Sequence, residues 1–157
     1  MSQRKHHIVH EPWRRLGLAL LLFGIGGVAL ELLLLEHFED PWQWAPIALL
    51  TVGFASSGIL WIRPGPATIR VHQALMGAYL IVGALGVYLH LRANLEFELE
   101  LRPSMAGMEL VMESLKGAMP ALAPAAMVQL GLLGLLVSYR HPARQRLENL
   151  PLKNLEN

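Results

Sequence analysis

The chain has 157 residues, no cysteine and a formal net charge of +1; 54% of its residues are hydrophobic and only 16% charged. That length fits a single domain. The positive mean hydropathy excludes an ordinary soluble domain, which would expose large apolar patches to water. A nearly neutral chain lacks the basic face that nucleic acid requires. The missing thiols exclude disulfides, thiolate metal sites, cysteine nucleophiles and dithiol redox chemistry, the four-span quinone-linked thiol oxidases included.

A membrane-spanning helix takes about 20 mostly apolar residues. Four stretches approach this, at 16–35, 46–62, 71–91 and 119–139. They predict an all-α membrane protein, a four-transmembrane-helix bundle in one integral membrane domain over 1–157. The first, "LGLALLLFGIGGVALELLLL", is too long for a signal peptide, lacks a small-residue cleavage site and is followed by three more. Its Gly24, Gly27 and Glu31 share one helical stripe, which is expected to turn Glu31 into the bundle. A carboxyl inside a span is by default a functional candidate; here it suits either a proton carrier or a neutral acid bonded to a neighbouring helix.

The loop that follows, "EHFEDPWQWAP", clusters Glu36, His37, Glu39 and Asp40 at the mouth of the first span. Pro41 biases Asp40 away from helix, so that span should end near Phe38. The second stretch is short but flanked by Trp42, Trp44 and Trp61, as in an interfacial aromatic belt. In the third, His72, Met76, Tyr79, Gly83, Gly86 and His90 recur at steps of 4, 3, 4, 3 and 4. They form one seam with a histidine near each interface.

Beyond His90, "HLRANLEFELELR" alternates polar and apolar residues. As an extended strand it would set Glu96, Glu98 and Glu100 in one row and Leu95, Phe97, Leu99 and Leu101 in the other. It would lie flat across the outer end of the bundle. Its free edge would pair with "WQW" of the first loop, a second copy or another membrane or periplasmic protein, through residues 91–102. Next, "SMAGMELVMESLKGAMP" predicts an amphipathic helix in the interface, N-capped by Ser104, with Met105, Met108, Val111, Met112 and Leu115 on its apolar face. The methionines fit an adaptable apolar surface, with Cu(I) ligation as the alternative. Residues 92–118 thus form an outer cap. Pro120 and Pro124 stand near the start of the fourth stretch, where a missing N–H costs least, and Gln129 is its polar residue.

Lysine and arginine set orientation. Arg4, Lys5, Arg14, Arg15, Arg63, Arg70, Arg140, Arg144, Arg146 and Lys153 fall in the tails and the second connection, against only Arg92, Arg102 and Lys116 in the other two. Both termini are therefore expected in the cytoplasm. The acids sort the other way, giving an acidic outer face that includes Glu109 and Glu113. If the outer loops converge, Glu36, His37, Glu39, Asp40, His90, Glu96, Glu98 and Glu100 make a candidate divalent-cation site; a solvated acidic face is the plainer account.

The segments "LLLLEHFEDPWQWAPIALL", "YLHLRANLEFELE" and "KGAMPALAPAAMVQLGLLGLLVSYRHP" resemble a group of small, uncharacterised four-span bacterial membrane proteins. That resemblance implies the bacterial inner membrane and supplies no catalytic residues. No nucleophile–base pair, phosphate loop or metal-hydrolase spacing is present. The expected role is therefore a non-enzymatic accessory or interaction subunit whose acidic, histidine-bearing cap binds a divalent cation or docks a partner. The alternatives are a b-type haem electron carrier, using His37 with His90 and His72 with His141, and a proton-coupled transporter built on Glu31, which would require a homo-oligomer.

Overall fold

The computed structural model describes residues 3–143, with side chains from residue 12 onward. The described residues are helical: α1 (Gln3–Leu34), a short 3-10 turn (Pro41–Gln43), α2 (Trp44–Ile62), α3 (Pro66–Leu101), α4 (Gly107–Lys116) and α5 (Ala125–Ser138). Three segments are long and apolar enough to cross a membrane, namely Pro12–Leu34, Pro41–Ile62 and Pro66–Leu101, whereas α5 is a shorter apolar helix of 14 residues.

The fourth stretch shortens because of its prolines. Neither Pro120 nor Pro124 can donate a backbone hydrogen bond. The chain approaches α5 through tight i→i−3 bonds instead, from Ala123 to Pro120, Ala125 to Leu122, Ala126 to Ala123 and Met127 to Pro124. α-Helical bonding begins only past the second ring.

Helix α1 packs on α2 and α5, α3 packs on the same two, and α4 lies against the end of α3. The shared core draws Leu18, Leu21 and Ile25 from α1, Leu50 and Leu60 from α2, Ile69, Met76 and Tyr79 from α3, and Met127, Leu130 and Val137 from α5. Outside it the helices stay apolar: Phe23 is 82% exposed and Ile81 71%. Such a surface suits hydrocarbon, where association relies on close van der Waals fit between small residues. The α3–α5 contact uses that device from both sides. A Cβ on Gly83 would stand 2.9 Å from Val128 N and 3.0 Å from Pro124 O, and one on Gly131 would stand 2.8 Å from Met76 O.

The loops gather at two ends of opposite charge. At one, Arg14 donates to the carbonyls of Val137 (2.5 Å), Tyr139 (2.9 Å) and Arg140 (3.2 Å), so a cation sits at the negative end of α5. Arg15, Arg63 and Arg70 share that end. At the other lie Glu36, Glu39, Asp40 and the tip of α3 with its glutamates. Exposed Trp42 and Trp44 mark the acidic end, while Trp13, Trp61 and Tyr139 mark the basic one. Along α2, Trp44 and Trp61 are about 26 Å apart, close to a hydrocarbon thickness.

The expected strand is absent. Residues 90–101 continue α3 to a total of 36 residues, about 54 Å. Arg92 pairs with Glu96 (2.7 Å) and Arg102 with Glu98 (3.0 Å), both at helical i,i+4 spacing. The composition explains the outcome: leucine, glutamate, alanine and arginine favour helix, and the segment has no valine, isoleucine or threonine to favour strand. On a helix, at about 100° per residue, Glu96 and Glu100 share one face while Glu98 turns to the opposite side, so the row of three is broken.

The amphipathic helix forms, and it packs along α3. Helix α4 starts at Gly107, after the αL-like φ of +64° there, so Ala106 and not Ser104 holds the N-cap position. Its early Glu109 approaches Arg102 at 3.7 Å, while its late Ser114 accepts from Asn94 at 3.0 Å. The two α3 anchors are about 12 Å apart along the axis, so α4 runs back alongside α3 as a helical hairpin. Asn94 locks its base: Nδ2 donates to Ser114 O and to Met119 O (2.6 Å), and Oδ1 accepts from Met119 N (3.0 Å). Gly117 packs on the same amide, where a Cβ would meet Asn94 Oδ1 at 2.7 Å. Met105, expected on the open face, is buried; Met108, Val111, Met112 and Leu115 are exposed.

Candidate functional site

At the acidic end two of the expected site residues meet. The His37 and His90 rings are 6.3 Å apart between centroids and tilted by 53°. Helix α1 sets up this meeting by the way it stops. Its end is a Schellman turn, with His37 N bonded to Leu32 O (2.9 Å) and Glu36 N to Leu33 O (3.2 Å). Glu36 takes the left-handed position (φ 52°) that such turns reserve for glycine. A side chain there costs about 1 kcal/mol or more, and strain of this kind is concentrated at functional sites. The turn carries His37 against the side of α3 at His90, about 16 Å short of that helix's end. Burial, and secondarily the neighbouring His90, hold the His37 imidazole below its ordinary pKa. His90 Nδ1 is shut off from solvent without a hydrogen-bond partner among the described residues.

The rest of the expected cation set scatters. Glu36, Glu39 and Asp40 are exposed on the turn, where the Asp40 N–H is taken by Gln43 Oε1 (3.1 Å). Glu96 and Glu98 are held by arginines, and Glu100 is exposed. Among the described residues no group of three or more histidine or carboxylate side chains converges as a metal cage. Of the eight residues, five make a histidine pair beside an acidic turn, and Glu96, Glu98 and Glu100 lie farther along α3.

The intramembrane polar residues are also redistributed. Glu31 is exposed, and Gly27 on the same stripe has nothing within 4 Å of a Cβ position. The buried face of α1 runs instead through Leu18, Leu21 and Ile25, so Glu31 points away from the bundle. Gln129 is likewise exposed on α5. His72 does the opposite. Expected at an interface, it is fully buried, with Nδ1 3.2 Å from Ser56 Oγ and Nε2 set against α5 at the Gly134 backbone. Ser56 and Ser57 cap the carbonyl of Gly53 on α2 (3.0 and 2.8 Å), and Tyr79 OH donates to Leu50 O (3.3 Å). A polar seam thus runs between α2 and α3, and its visible signal was the serine pair in the middle of an apolar stretch.

Of the seam expected from His72 to His90, His72, Met76, Tyr79 and Gly83 are buried in turn, while Gly86 and His90 are half-buried. Gly83 and Gly86 of that seam face Val128 and Pro124 of α5.

Comparison with known protein families, curated proteins and solved structures finds no match. The reading of function accordingly rests on these residues alone.

Proposed function

We propose that the protein is a non-enzymatic, four-pass membrane subunit that docks a partner on a helical hairpin outside the bilayer. The fourth pass in this reading is α5 together with its proline turns. Residues 120–138 combine about 21 Å of α-helix with about 10 Å of tighter turn, near the 30 Å of a hydrocarbon core. An even number of passes is supported by Arg14, which ties the start of the first span to the end of the last. In this reading the basic end faces the cytoplasm and the acidic end the outside, and the proposed membrane, on the resemblance noted above, is a bacterial inner membrane.

The observation that carries the docking role is the face presented by α4. Met108, Val111, Met112 and Leu115 are exposed on a helix held upright by Asn94 and Arg102. An exposed apolar face on a rigid support is the usual mark of an interaction surface, and methionine lets such a surface adapt to its partner. The cations nearby are already engaged with glutamates of the same hairpin. The acidic turn at Glu36, Glu39 and Asp40 therefore adds a net negative field for a basic partner.

Since the chain has no cysteine, single thiols test this cleanly. A thiol at Ser104 should react with an impermeant maleimide in intact spheroplasts, and one at Ala67 should not; the reverse pattern would end the topology. A photo-crosslinker at Met112 should give one adduct of defined mass in native membranes, absent with the probe at Phe23 and lost when Leu115→Glu is added. Lipid adducts alone at Met112 would refute docking.

A further inference from the structure

We propose that His37 and His90 are the two protein ligands of an exchangeable site for a borderline transition cation of the zinc class, which ties the exit of α1 to α3. The proposal stands apart from the docking role of α4 and survives or fails without it.

The first argument is distance. Zinc binds imidazole nitrogen at about 2.0–2.1 Å, and the ring centre lies about 1.1 Å further on. Two imidazoles on one zinc ion therefore hold their centres roughly 5 Å apart at a tetrahedral angle and roughly 6 Å when opposed. The observed 6.3 Å with tilted rings needs closure of about one ångström, and His37 sits on a turn, only half-buried, that can supply it. The second argument is the buried, unpartnered Nδ1 of His90; in the described structure no protein group satisfies it. The third is the field. His37 follows directly on the carbonyl end of α1, where the helix dipole favours a cation. Glu36, Glu39 and Asp40, within three residues of His37 in the chain, are exposed, and no arginine or lysine pairs with them among the described residues.

The ligand chemistry selects the ion. Imidazole favours zinc, copper and nickel over calcium and magnesium, which take oxygen shells. With no third side chain already in place, the remaining positions fall to water or to one carboxylate of the turn. Closed four-ligand shells characterise structural zinc; a two-histidine site with open positions loads and unloads with supply. The strained Glu36 turn gains a purpose here, since it aims His37 at its partner.

The test uses tag-free protein in nanodiscs of zwitterionic lipid. Zinc titrated by calorimetry should show one binding event that both His37→Gln and His90→Gln remove or weaken by about tenfold or more. The wild type should gain thermal midpoint with zinc but not with calcium, and neither variant should gain. Copper(II) bound to the wild type should show two imidazole nitrogens in its electron paramagnetic spectrum, and one in either variant. If His90→Gln fails to fold, the double variant His37→Cys/His90→Cys takes its place and should regain zinc binding through thiolates. Equal zinc stoichiometry and affinity in wild type and His37→Gln would overturn the site, as would an equal response to calcium. A Soret band lost in His37→Gln would replace the cation by haem and overturn it as well.

Discussion

Asn94 offers the sharpest test of the hairpin. Its side chain makes three hydrogen bonds to the backbone of Ser114 and Met119 from a position only 2% exposed. Each bond contributes about 1 kcal/mol net, so Asn94→Ala should weaken the seat of α4 by about 3 kcal/mol. The readout is a thiol placed at fully buried Ser114 (0% exposed), which reacts only when α4 opens. At 1.4 kcal/mol per decade, its labelling in Asn94→Ala should quicken about a hundredfold. Asn94→Asp adds a pH signature. Its carboxylate would face the carbonyls of Ser114 and Met119 and be largely buried, which raises its pKa above the unfolded value of about 3.9. A raised folded pKa means that the fold is favoured below it and loses stability as pH rises through it. Both variants lose reactive thiolate as pH falls, so the signature is relative: labelling of Asn94→Asp should slow more steeply on acidification than that of Asn94→Ala at the same pH. A labelling rate within about threefold of wild type in the alanine variant, where the bonds predict about a hundredfold, would refute the account of how α4 is held.

Glu36→Gly should raise the thermal midpoint by the equivalent of somewhat under 1 kcal/mol, because relief of the left-handed strain is partly offset by glycine's greater freedom when unfolded; Glu36→Val should lower it. Gly83→Ala should cost about 1–3 kcal/mol in detergent-solubilised protein, since α5 must move to admit the methyl, whereas Gly27→Ala should be neutral or slightly stabilising by the same measurement. His37 titrates below its unfolded value. The unfolded chain therefore binds the proton more readily, and stability should fall as pH drops below about 6.5; His37→Gln should flatten that slope in a pH series of thermal melts. Glu31→Gln should leave both the thermal midpoint and the proton permeability of reconstituted vesicles unchanged, because its side chain lies outside the bundle.

What the chain's text revealed depended on whether one period dominated. The third stretch reads unambiguously because His72, Met76, Tyr79 and Gly83 repeat at helical steps, and all four are buried. Residues 90–102 carry two periods at once. The alternation of Leu95, Phe97, Leu99 and Leu101 fits a strand, while Arg92 with Glu96 and Glu98 with Arg102 fit a helix; local propensity and those pairs decide in favour of helix. Glu31 was misplaced because Gly24 and Gly27 suggested the packing stripe. Small residues mark a contact only where a neighbour arrives, and here Leu130 meets Gly24 while nothing meets Gly27. The histidine pair could be suspected from either loop, but its geometry depends on a left-handed glutamate that no local rule anticipates. Asn94 was invisible, since its partners are backbone atoms at 114 and 119, brought near only by the turn after α3.

The clasp made by Arg14 has a consequence for biosynthesis. Its acceptors, Val137, Tyr139 and Arg140, lie at the end of α5 and just beyond it, so they emerge from the ribosome only after that helix is made. Until then the glycine-lined groove of α3 at Gly83 and Gly86 stands open to lipid and to any other helix small enough to enter. Emergence of α5 is therefore the event that seals the groove. A nascent chain stalled near residue 118 should be a substrate for membrane quality control or for exchange of α5 between neighbouring copies.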